Sequence, residues 1–172
     1  MPGERMQETK WLIAREIPRL RRYARALTRD PVAADDLVQD TLERAIRKRH
    51  LWKRHGSLRG WLYRILYHVF LNQSTRRARR AREVDLDDAP EPVSPGTADA
   101  GLVRRDIVAA MQALPAEQRA AIALTAIEGL SYDEAAAALD IPVGTLRSRL
   151  SRGRERLRET FDVSEPQVRK VK

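Results

Sequence analysis

The stretch from Ser131 to Phe161, SYDEAAAALDIPVGTLRSRLSRGRERLRETF, admits few folds: it reads as a helix, a tight turn and a second, strongly basic helix. Ser131 followed three residues later by Glu134 makes a capping box, in which the hydroxyl accepts from a first-turn amide and the carboxylate accepts from the cap amide. Ala135, Ala136 and Leu139 then form a small apolar face that lets another helix approach closely. Asp140-Ile141-Pro142 closes the run, because Pro has no amide hydrogen and disfavours a helical residue before it.

At about 100° per residue, Leu146, Leu150, Leu157 and Phe161 of the second helix share one stripe, and Arg147, Ser148, Ser151 and Arg152 project from the other side. A helix in the major groove can offer Arg to guanine and Ser to several base edges, with Thr145, Arg149 and Arg154 flanking as phosphate contacts. A solvated basic helix packed only on its leucine side would show the same charges. The capped short helix, the Pro turn and the long second helix favour DNA reading.

Composition agrees with a polyanionic partner: 172 residues carry a net charge of +9. There is no cysteine, which excludes disulfides and thiolate metal sites, and the histidines His50, His55 and His68 have no carboxylates at matching spacing. No metal site and no cofactor is therefore expected. No apolar run approaches the ~20 residues of a membrane span and no apolar signal core follows the N-terminal charges, so a cytoplasmic location is expected.

In chain order, residues 1–7 read as frayed, and Trp11, Leu12, Ile13 and Ile17 give a first apolar stripe. Pro18 predicts a break, with a new helix after it turning Leu20, Tyr23, Ala24 and Leu27 inward. Asp30-Pro31 is a helix start, and the helix it opens, to about Arg49, has Val38, Leu42, Ala45 and Ile46 on one side. Asp36, Gln39, Asp40 and Glu43 gather on another. Complementing the helix dipole accounts for Asp35 and Asp36 but not for Asp40 and Glu43 further in, and an acidic face on so basic a chain suits docking of a basic protein.

Residues 50–56 form a basic loop with one exposed-looking aromatic, Trp52, before Ser57 caps a long helix with Leu58, Trp61, Leu62, Ile65, Leu66, Val69 and Phe70 on its apolar face. Tyr67, His68 and Asn72 lie near its middle, followed by Arg76, Arg77, Arg79, Arg80 and Arg82. Guanidiniums can hold phosphates while a ring and an amide receive an unstacked base. Ordinary boundary residues and a solvated helix end would give the same sequence. From Glu83 to Ala100 the chain is acidic and rich in Pro and small residues, a linker. Beyond it Val103, Ile107, Met111 and Leu114 predict one helix, and a second runs from Pro115 to Gly129 with Ile122 and Ala126 inward. No strand-like alternation occurs.

DDLVQDTLERA at 35–45, LRGWLYRIL at 58–66 with the arginines behind it, and LPAEQRAAIALTAIEGLSYDEAAAALDIPVGTLRSRLSRGRERL at 114–157 resemble the group 4, extracytoplasmic-function (ECF) sigma factors of bacterial RNA polymerase. The resemblance covers nearly the whole chain and implies an all-α protein of two small helical domains. Region 2 would take residues 8–82, a flexible acidic linker 83–101, the region 4 helix-turn-helix 102–161 and a basic tail 162–172. It implies a non-enzymatic factor that docks on core polymerase, at the β′ clamp helices through Asp36, Leu37, Gln39, Asp40 and Glu43 and also at the β flap. Tyr67, His68 and Asn72 would capture a flipped −10 base, supported by Trp61, Arg64, Arg76 and Arg77. Thr145, Arg147, Ser148, Arg149, Ser151 and Arg152 would bind the −35 element of promoter DNA. An anti-sigma factor and a stress response are further implications. His68 stands where many members have Asn, Asn72 where many have Asp, and Ser151 is smaller than its counterpart in some relatives, so the promoter sequence does not carry across.

Overall fold

The computed structural model describes residues 2–52, 57–83 and 100–162, with side chains for 7–52, 57–80 and 105–161. The linker residues 84–99, His55 and the tail from 163 lie outside the described residues. Helix α1 runs Pro2–Leu27, α2 Pro31–Arg47 and α3 Leu58–Glu83, with one 3₁₀ turn at Arg49–Leu51. After the linker come α4 (Ala100–Ala113), α5 (Ala116–Ile122), a π-helical continuation of α5 (Ala123–Ile127), α6 (Tyr132–Leu139) and α7 (Val143–Asp162). Every regular element among the described residues is helical, as expected.

The chain's start signals work as the sequence predicts. The Asp30 carboxylate accepts from the amides of Val32 and Ala33 at 3.0 and 3.1 Å, with Pro31 at the first helical position where its missing donor does no harm. Ser57 Oγ accepts from Gly60 N at 3.1 Å and opens α3. At α6 the Glu134 amide donates to Ser131 Oγ at 3.3 Å, and Ser131 N donates to Glu134 Oε2 at 2.9 Å. The Ser131 amide and the Ser131 hydroxyl, which also donates to Oε2 at 2.9 Å, hold the Glu134 carboxyl below its ordinary pKa.

Helix α1 departs from the sequence reading. It begins at Pro2 rather than after a frayed segment, and it runs through Pro18 without ending. An interior Pro removes one backbone bond and costs about 3 kcal/mol. Ile13 before it and Leu20, Tyr23, Ala24 and Leu27 after it are all buried on one continuous face, and burying a large apolar side chain is worth roughly 1.5–3 kcal/mol each. The packing on both sides outweighs the break. Trp11 does not join that face: it is 59% exposed and its ring lies 4.8 Å from the Arg15 guanidinium.

Helices α1, α2 and α3 pack on one another, α5 packs on α7, and α6 lies along α3. The buried side chains form one cluster that passes from the first three helices into α5, α6 and α7 without a gap. Tyr63 meets Tyr23 edge-on, with ring centroids 5.2 Å apart, at its centre.

Two inward assignments in the second half change. Ile107 is 48% exposed, and Ala110 is buried in its place on α4. Ala126 is exposed, whereas Leu124 and Glu128 are buried. The π turn explains the second change, because closing Glu128 N onto Ala123 O at 3.0 Å inserts an extra residue and rotates everything after it. Gly129 at φ +70 and Leu130 N bonding Leu124 O at 3.0 Å then end the helix.

Candidate nucleic-acid interface

The turn between α6 and α7 is built by Asp140, in the left-handed region at φ 57, ψ 45, which Asp tolerates at modest cost. Asp140 N bonds Ala137 O and Ile141 N bonds Ala136 O at 3.1 Å, so the carbonyls at the end of α6 are satisfied. Pro142 O accepts from Leu146 N at 3.1 Å and starts α7. Leu146 and Leu150 are buried, Leu157 is partly buried and Phe161, expected on the same stripe, is exposed. Gly153 permits the close approach of α5: a Cβ there would stand 2.7 Å from Ile122 Cδ1 and 3.3 Å from Gln118 Cβ.

On the outer face Arg147, Ser148, Ser151 and Arg152 are all exposed, Thr145 and Arg149 partly so. Arg147, Ser151, Arg154 and Arg158 line a shallow groove of about 180 Å³ with Tyr132 at its rim. Sequence reasoning did not single out Tyr132. The groove is walled by guanidiniums and floored by Leu150, which suits a phosphate-rich strand laid along the helix.

Helix α3 presents its candidate residues differently. Arg64, His68, Asn72, Arg76 and Arg77 are exposed, Trp61 is partly buried and Tyr67 is only 4% exposed, stacked on Phe70 with centroids 6.4 Å apart. Burial pushes the Tyr67 phenol up, opposed by the positive charge of Arg149 on α7. Arg64 Nη2 donates to Asp140 Oδ1 at 2.8 Å, and Asp140 Oδ2 lies 4.0 Å from His68 Nε2. The turn of the second half therefore sits on the middle of α3.

On α2, Asp36, Gln39, Asp40 and Glu43 are exposed together, and Asp40 accepts from Gln73 Nε2 of α3 at 2.9 Å. Leu37 does not belong with them: it is 0% exposed, in the core, because it lies on the inner side of the same helix.

A second polar cluster was not legible in the sequence. The Glu128 side chain is fully buried and accepts from Arg22 Nε and Nη2 at 2.6 and 2.9 Å and from the Tyr63 hydroxyl. Its hydrogen bonds, and then its charge, raise the Arg22 pKa, and burial together with the bond to Glu128 pushes the Tyr63 phenol up. Nearby, Arg119 is buried and donates to Leu27 O, Gln112 O and Leu114 O at 3.0 Å each, bonding the ends of α1 and α4, with its pKa lowered by desolvation. Among the described residues no group of three or more potential ligands could hold a metal ion, and no helix is long and apolar enough to cross a membrane.

Residues 13–67 match the family described as the Sigma2 domain of PhyR, and residues 104–157 match Sigma-70, region 4. The chain is 36% identical over 141 residues to the ECF RNA polymerase sigma factor EcfG of Rhodopseudomonas palustris, covering 82% of this chain and 78% of that one. This chain belongs to the ECF RNA polymerase sigma factors.

Another ECF sigma factor, SigE of Mycolicibacterium smegmatis, is 36% identical over 164 residues, 91% of this chain, which spans 63% of that longer relative. The fold of this sigma factor also matches the sigma factor RpoE of Bartonella quintana, solved in complex with the anti-sigma factor NepR. There the TM-score is 0.76 at 34% identity, covering 92% of this chain and 99% of that one. The two matched regions place α1, α2 and the first part of α3 in region 2 and α4 to α7 in region 4.

Proposed function

We propose that this chain is a transcription initiation factor, not an enzyme, that docks on core RNA polymerase in the cytoplasm and directs it to promoters. Asp36, Gln39, Asp40 and Glu43 of α2 form the docking face, and their joint exposure on a basic chain supports that role. Arg147, Ser148, Ser151 and Arg152 read the −35 duplex, with Thr145 and Arg149 as flanking contacts. Tyr67, His68 and Asn72 take an unpaired −10 base, while Trp61, Arg64, Arg76 and Arg77 support strand separation. Unstacking a base costs a few kcal/mol, and stacking one on an aromatic ring returns about 1–3 kcal/mol, so captured bases offset melting. Control by an anti-sigma factor is supported by the RpoE–NepR complex, and a role in a stress response follows from the family alone.

The observation that carries this reading is the capped α6, the Asp140 turn and α7, with leucines inside and an Arg/Ser edge outside, in a chain of this family. The test is transcription from a promoter library by purified core polymerase with and without the protein. Specific initiation is expected only with both present. Tight binding to paired half-sites by the protein alone, without polymerase, would instead make it a stand-alone regulator.

A further inference from the structure

Three of the residues proposed to open DNA, Arg64, Tyr67 and His68, are engaged by the chain itself. Asp140, at the turn of the helix-turn-helix, holds Arg64 at 2.8 Å and approaches His68, while Tyr67 is covered. Three sets of polar contacts join the same two halves: Glu128 with Arg22 and Tyr63, Arg119 with Leu27 O, and Arg29 with Gln112 O at 2.9 Å. A buried carboxylate needs its partners, and both partners of Glu128 lie in the other half of the chain. Such a cluster fixes one docking register, since any slide leaves a charge without its hydrogen bonds.

We propose that the free protein holds itself closed, with Glu128 clasped by Arg22 and Tyr63 so that Asp140 pairs with Arg64 and sits beside His68 on α3. The acidic face of α2 and the outer edge of α7 stay open in this state. Polymerase docking then precedes base capture, and a partner must separate the halves before α3 can take single-stranded DNA. The masking part rests on the function proposed above; the closure itself does not.

The test uses the full chain. Small-angle scattering of the wild type should fit a compact particle with the halves packed, and Glu128→Gln and Arg22→Ala should both give a larger radius of gyration with helix content unchanged by circular dichroism. Affinity for a fluorescein-labelled, random-sequence single-stranded DNA 12-mer should rise on the order of tenfold in both variants, as expected when a minor open form becomes dominant. Asp140→Asn, which keeps a residue that tolerates the left-handed turn, should raise it by a smaller factor. A wild type already extended, or variants as compact as the wild type, would overturn the closure. Expanded variants with no gain in DNA binding would overturn the masking. If Glu128→Gln loses helix content, Arg22→Ala decides, because Arg22 is a half-exposed surface residue of α1. Loss of polymerase-dependent transcription alone would count against the proposed function and leave the scattering result standing.

Discussion

Helices α7 and α3, the two helices proposed to contact DNA, are presented in opposite ways. On α7 the Arg/Ser edge faces solvent over buried Leu146 and Leu150, whereas on α3 Tyr67 is covered and Arg64 is tied to Asp140. The difference lies in what packs on each helix. The inner side of α7 is covered by its own half through α5 and α6, while α3 is covered by α6 from the other half. A surface made within one half does not depend on the other; under the closure proposed above, the face of α3 does.

The largest effect is expected where α7 is seated. Gly153→Val would drive a branched side chain into Ile122 and Gln118, and stability of the second half should fall by on the order of 3 kcal/mol in denaturant unfolding. Duplex binding should go with it while polymerase binding through α2 survives; retained duplex binding would show that α7 is not the reader. More finely, Arg152→Ala should weaken upstream duplex recognition by ~1–3 kcal/mol and relax preference at one base pair. A uniform loss over all sequences would make Arg152 a phosphate contact.

The open side of the contrast can also be tested on α2. Asp40→Lys should lower affinity for core polymerase on the order of tenfold, about 1.4 kcal/mol, in a binding titration with the melting temperature little changed. Unchanged affinity removes the docking face.

The hidden side can be probed at Tyr23, whose buried hydroxyl has no hydrogen-bond partner and whose phenol burial pushes up in pKa. Tyr23→Phe removes that unsatisfied group and should leave stability unchanged or raise it by up to about 1 kcal/mol, with duplex binding unaltered. A large loss would mean that the hydroxyl is satisfied.

The smallest effect concerns the α6 cap. Glu134 has its pKa lowered in the folded state, so its contribution is fully present above the ordinary value of 4.5 and fades as the pH falls through the lower folded value. Glu134→Gln should cost about 0.5 kcal/mol at neutral pH, since the site is exposed and screened, and should flatten that acid-side decline in unfolding curves. Wild-type and variant curves that stay parallel would refute it.

Much of this was legible because it is local. Caps at Asp30, Ser57 and Ser131 involve residues within three positions of one another, and the α7 stripe needs only the helical period. Pro18 misled because a local penalty was outvoted by buried side chains on either side of it. Leu37 stood among the docking residues only through the family resemblance, and the helical period that groups the acids puts it on the inner, buried side. The Glu128 cluster was invisible for a different reason: its partners lie 106 and 65 positions away, and no periodicity links them. Tyr63 was equally hidden, since its neighbour Leu62 already satisfied the apolar pattern.

The π turn at Ala123–Ile127 makes that cluster a matter of winding rather than composition. Its single surplus residue swings the helix end by roughly 100° and aims Glu128 at Arg22. The same residues wound as an unbroken α-helix would turn that carboxylate away from Arg22, and the two halves would lose their latch without losing one charged group.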